Sequence, residues 1–182
     1  AVTSTATELN LLDGKDATFL AVPGKLEGTN FSEGLLVGHT TTGTLNDAQK
    51  NTGVGILALR TLTSGDRNTA IGAGAMKNST YGSFNTALGT DSLTKNVGQG
   101  NTSIGQGSGS NTTGEYNIYL GKSAGDNITS GSGNVVIGKA DVPSATADDQ
   151  LSISDGEDGS VAWITGDSNG QVKLTSGYIA EV

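Results

Sequence analysis

A chain of 182 residues with 29 Gly and only 4 % aromatics has too few large side chains to fill a conventional globular core, Gly alone standing at roughly double its usual share of about 7 %. With no Cys it has neither a disulfide scaffold nor a thiol site. The net charge of −8 lies at one end: residues 141–182 carry eight acids against Lys173, residues 1–140 ten acids against nine bases. An acidic chain lacks the clustered Lys and Arg that phosphate binding requires, so nucleic acid is not an expected partner.

Residues 3–14 read as a short helical turn, with Thr5-Ala6-Thr7-Glu8 as a capping box, Leu9, Leu11 and Leu12 behind it, and Gly14 as the stop. Residues 15–33 carry Phe19, Leu20, Val22 and Leu26 around Pro23-Gly24, which predicts short strands with a turn at Pro23-Gly24. Together, residues 1–33 form a first unit whose strands would cap the edge of the region beginning at Gly34.

That region is a repeat. Asn68-Thr69-Ala70-Ile71-Gly72 recurs as Asn85-Thr86-Ala87-Leu88-Gly89, Asn101-Thr102-Ser103-Ile104-Gly105, Asn117-Ile118-Tyr119-Leu120-Gly121 and Asn134-Val135-Val136-Ile137-Gly138, with earlier copies starting at Asn51 and Gly34. The starts at 34, 51, 68, 85, 101, 117 and 134 fix a period of 16 or 17 over residues 34–142. A fixed period of this order is the signature of stacked repeats. Counting the Asn as position one, position four is always aliphatic, position five always Gly, and position eight small in most copies, as in Ala58, Ala75, Ser92, Ser108 and Ala124. A further Gly stands three residues ahead of the next Asn at Gly65, Gly82, Gly98, Gly114 and Gly131.

This pattern predicts an all-β fold, a parallel β-solenoid of about seven coils. Each coil is expected to hold two short strands with aliphatics such as Ile71, Leu88, Ile104, Leu120 and Ile137 pointing inward. Gly72, Gly89, Gly105, Gly121 and Gly138 would turn the backbone. Asn68, Asn85, Asn101, Asn117 and Asn134 would stack their amides into a ladder. Coils about 4.8 Å apart give a rod of roughly 34 Å. Helix is excluded by the β-branched residues and the Gly of every copy. One large aliphatic per coil, at roughly 1.5–3 kcal/mol, barely offsets the ordering of its 16 or 17 residues. Association is therefore expected, with small residues such as Ala75 and Ala124 facing an axis between chains, and a trimer as the favoured state.

Residues 143–182 break the period. A linker through 149 leads to four predicted strands around Leu151, Trp163, Val172 and Tyr178, with turns at Asp155-Gly156 and Asn169-Gly170, a small β-meander. No apolar run approaches the roughly 20 residues of a membrane helix, so membrane insertion is not expected. No secretory signal is visible, and a first residue of Ala1 is what a fragment or processed chain would show.

The unit Asn68 to Ala75 resembles the head repeat of trimeric autotransporter adhesins, in which such units build a β-roll in each of three chains. The units here are longer, and the hand of the coil is not carried over. Over more of the chain, Thr7-Glu8-Leu9-Asn10-Leu11-Leu12-Asp13-Gly14, the repeats and Ala162-Trp163-Ile164-Thr165-Gly166-Asp167 are similar to bacteriophage tail fibres and related virion appendages. The resemblance implies a homotrimeric structural fibre on the virion, outside the cell, with other tail proteins as partners and a host-surface glycan or protein as receptor. The head of a bacterial surface adhesin and a glycan-degrading tailspike are the alternatives.

Chemistry-bearing residues are sparse. His39 is the only His, so neither a catalytic triad with a redundant partner nor a His-rich metal site is available. No carboxylates pair in register as glycan hydrolysis requires, Asp91, Glu115 and Asp126 falling at different coil positions. An enzyme is therefore not expected, and no cofactor is required. Asp155, Glu157 and Asp158 form an acidic turn with the oxygen ligands that Ca²⁺ takes but without EF-hand spacing. A tight turn between strands is the favoured reading. Tyr81, Tyr116, Tyr119 and Trp163 are candidate receptor contacts, through stacking of rings on sugar faces, while Phe84 is assigned to covering a seam between coils.

Overall fold

The structure, a computed structural model, describes residues 24–25, 31–38, 43–95 and 98–175. The predicted helical turn at residues 3–14, His39 and the strand expected around Tyr178 lie outside them. The described residues are all β and turn, with no helix.

The repeat folds as a parallel β-solenoid of about seven coils. Its spine is a ladder of three-residue strands: β3 (Leu35–Val37), β5 (Thr52–Val54), β6 (Thr69–Ile71), β7 (Thr86–Leu88), β8 (Thr102–Ile104), β9 (Ile118–Leu120) and β10 (Val135–Ile137). Each pairs in parallel with the next, position two on position two, as in Thr69↔Thr86 and Ile71↔Leu88. The sequence period is thus the register of the sheet.

A second strand in every coil is not what forms. Among the described residues only β2 (Phe31–Ser32) and β4 (Ala48–Gln49) pair away from the spine. In the other coils the return path is a string of turns, as in the bonds from Ala58 N to Gly55 O, Arg60 N to Leu57 O and Leu62 N to Leu59 O. Leu57 and Leu59 stand at φ of 65° and 57°, as do their counterparts Gly74 and Met76 at 69° and 51°. Left-handed residues at every other position cannot propagate a strand.

The inward direction also differs from expectation. Side chains alternate along a strand, and position three is the buried one: Leu36, Ala70, Ala87, Ser103, Tyr119 and Val136 are fully or almost fully enclosed. Position four points out. Ile71 is 39 % exposed and Leu120 45 %, with Leu88 and Ile104 alike and Ile137 half-buried. The core is completed by position nine (Leu59, Met76, Leu93) and by Leu62 and Ile128 on the return path. Ala75 and Ala124, expected at an axis between chains, are fully buried in their own coil.

Core volume is balanced across these columns. Where position three is small (Ala70, Ala87), position nine is Met76 or Leu93; where it is Tyr119, the flanking position-nine residues are Gly109 and Gly125. A Cβ added at either Gly would come within 2.5 Å of the Tyr119 ring. Close packing leaves no room for both.

The amide ladder runs through the buried wall beside the strands. Asn68 donates from its backbone N–H and from Nδ2 to Asn51 Oδ1, at 2.9 and 3.1 Å, and from Nδ2 again to the Gly82 carbonyl at 2.7 Å. Its own Oδ1 receives the same two donors of Asn85. At position five Gly72 has φ 134°, and a Cβ there would sit 2.5 Å from the Gly89 carbonyl carbon, so backbone stacks directly on backbone.

Residues 141–149 are not a free linker. They lie hydrogen-bonded on the last coil, with Thr129 N donating to Ala145 O and Ser132 N to Asp148 Oδ1. Gln150 takes the Asn place in the ladder. Strand β11 (Leu151–Ser154) then continues the parallel stack before β12 (Ala162–Gly166) and β13 (Val172–Leu174) fold back antiparallel. The second turn is the expected hairpin, Asp167 Oδ1 accepting from Asn169 and Gln171 N–H with Gly170 at φ 75°. At the other end β1 (Gly24–Lys25) pairs antiparallel with β3. Gly24, expected in a turn, is in this short capping strand.

Candidate functional site

The acidic turn is built around one carboxylate. Asp155 Oδ1 accepts the N–H groups of Glu157, Asp158 and Gly159 at 3.0–3.1 Å, and Oδ2 that of Val161 at 2.7 Å. The Val161 N–H first, then those of Asp158 and Gly159, hold its pKa down to about 2. Asp158 in turn accepts from Ser160 N–H. Both Asp155 oxygens are thus spent on the loop's own backbone, and among the described residues no group of three acidic or His side chains is placed to hold a metal ion.

Beside this turn, a shallow cavity of about 170 Å³ lies between Asp126, Lys139, Asp141 and Asp158. Burial, then the charge of Asp141 and a hydrogen bond with it, push the Asp126 pKa up, against Ser123 and Lys139. Elsewhere Asp91 pairs with Lys77 at 2.7 Å, and Glu115 accepts from Gln99.

The aromatic candidates separate. Tyr119 is fully buried, its hydroxyl on Thr112 Oγ1 at 3.1 Å, and is core rather than a receptor contact. Tyr81 and Tyr116 are exposed on the coil array, and Trp163, 53 % exposed, stands on β12. Phe84, read from sequence as a seam cover, is exposed as well, with the Arg67 guanidinium 5.2 Å from its ring centre. Arg67, Phe84 and Tyr116 share one column, the residue immediately before each ladder Asn. The sequence reads Phe84 as a seam cover and Tyr119 as a receptor contact because nothing in the repeat marks position three as the inward one.

On the outer face of the spine the position-four aliphatics form an unbroken column beside Thr52, Thr69, Thr86 and Thr102. The chain matches no family model, no curated protein and no solved structure.

Proposed function

We propose that this chain is the rod-forming part of a homotrimeric fibre on a phage virion, serving host attachment with other tail proteins as its anchor and a host-surface glycan or protein as its receptor. The observation that carries the reading is the outward aliphatic column. Val54, Ile71, Leu88, Ile104 and Leu120 are each at least 36 % exposed on consecutive rungs, an apolar strip repeating every 4.8 Å or so. Such a strip on a lone chain is an association surface. Three copies about a common axis along the rod shield it, and the same stacking that makes the column makes the rod stiff. The number three and the virion come from the resemblance of the repeats and flanking motifs to phage fibres and adhesin heads.

The mass in solution tests this. Light scattering after size exclusion should return three times the 18.2 kDa of the chain. The double variant Ile71→Lys/Leu88→Lys should fall to one chain while retaining its β circular dichroism, because neither side chain is in the coil's own core. A monomeric wild type would sink the proposal.

A further inference from the structure

The outer face of the spine runs on past the array. Strand registers carry Ile118 and Leu120 onto Val135 and Ile137, and these onto Leu151 and Ile153. Leu151 and Ile153 pair in turn with Gly166 and Ile164 of β12, which pair with Val172 and Leu174 of β13. Directly paired residues share a face, so the hairpin presents Ile164, Val172 and Leu174 on the side of the position-four column, with Lys173 and Thr165 on the other. Val172 is 65 % and Leu174 40 % exposed. Among the described residues, the face carries no charge from β5 to β13. The acids of this end, Asp155, Glu157, Asp158 and Asp167, stand in the turns on either side of β12. Copies of a chain of net charge −8 meet most readily where neither is charged, so the occupant this face fits is a second copy of itself.

Composition along the face sets direction. β5 to β8 place a Thr beside each aliphatic, whereas β9, β10 and β11 are aliphatic in both columns. Parallel copies bring the wholly apolar ends together, and antiparallel copies would set them against Thr. Height is not set by the array, because a shift of one rung, about 4.8 Å, restores nearly the same contacts. A shifted contact does not close: rotation alone makes a ring, and rotation with translation makes an open filament. The repeat stops at the hairpin, where strand direction reverses and Gly166 leaves the face without a side chain between Leu151 and Val172. We infer that β12–β13 is a register clamp: it packs on the same hairpin of parallel copies and holds all of them at one height. The inference rests on the association proposed above and supplies what keeps it closed.

Spin labels read the height directly. The chain has no Cys, so Ile56→Cys and Lys122→Cys each give one labelled site per chain, both exposed and both at position six of their coils. Pulsed electron resonance on the full chain should give one sharp distance between labels, the same at both sites, because copies at one height are related by rotation alone. Val172→Lys/Leu174→Lys should broaden both distances and raise the mass in light scattering above three chains. Its β circular dichroism should be retained, since both side chains are exposed. Lys173→Glu, on the same strand but the opposite face, should change neither readout. A doubly substituted hairpin that stays at three chains with sharp distances overturns the clamp alone. So do unequal distances at the two sites of the parent. So does a hairpin variant that falls to single chains, since the array would then hold no copies together. A monomeric parent removes both the clamp and the association beneath it.

Discussion

Tyr119 shows how one residue reorganises its neighbours. Its ring fills the coil interior at a point where Ser103 and Val136 stand in the adjacent coils, and Gly109 and Gly125 yield the space. Burial, partly opposed by the Thr112 hydrogen bond, pushes its phenol up to about 12 from the usual 10.0. A raised pKa means the folded state holds the proton more tightly, so the contribution is complete below pH 10 and is lost as pH rises towards 12. Two units correspond to about 3 kcal/mol at most. In an alkaline titration followed by phenolate absorbance, Tyr119 should ionise only as the fold is lost. Tyr119→Phe should remove the last step. A Tyr119 phenolate signal, read as the difference between wild type and Tyr119→Phe, that precedes loss of β structure would contradict this placement.

The three-residue strand is the element on which sequence and structure part. Period, register and the amide ladder were legible in advance, because stacking forces identical backbone and hydrogen-bonding roles onto equivalent positions. Which strand face is inside was not legible. Position four, uniform and aliphatic, reads as core, whereas position three runs through Leu36, Gly53, Ala70, Ser103 and Tyr119 and reads as variable surface. It varies because its volume is balanced against position nine on the return path, a compensation between residues six apart that periodicity alone does not reveal. The aromatics were half legible for a similar reason: their identity was evident, but Tyr119 sits at the inward position three and Phe84 one residue before the ladder Asn, outside the strand. The ladder makes the sharper test. Asn68→Ala strands the Gly82 carbonyl and the Asn85 amide in the buried wall, and should cost about 3 kcal/mol in urea unfolding. Asn68→Asp cannot donate to Gly82 and should be no better. Asn78→Ala, at an exposed Asn that only accepts from Arg60, should cost less than about 0.5 kcal/mol. Equal losses at the two sites would remove the ladder from the account of stability.

At the scale of the whole molecule, each coil in the array meets essentially the coil before and the coil after, and stability is close to a sum of coils and their interfaces. Duplicating residues 68–84 adds one coil with both interfaces already represented. The lengthened chain should fold, grow by roughly 4.8 Å along the rod and melt no lower than the parent. A drop in melting temperature would mean that the array is not modular. Two ends bound this modularity differently. From Asn68 to Asn134 each ladder Asn donates to the amide oxygen of the coil before it and accepts from the coil after it. Among the described residues Gln150 receives nothing from a further coil: its Oε1 accepts Ser144 N–H at 3.0 Å, and its Nε2, besides Asn134, reaches the Ser144 and Ala147 carbonyls at 2.8 and 2.9 Å. One extra methylene lets the side chain curl back on its own loop and use up the acceptor that the next rung would need. The rod therefore has a written length. An Asn says continue, and a single Gln says stop.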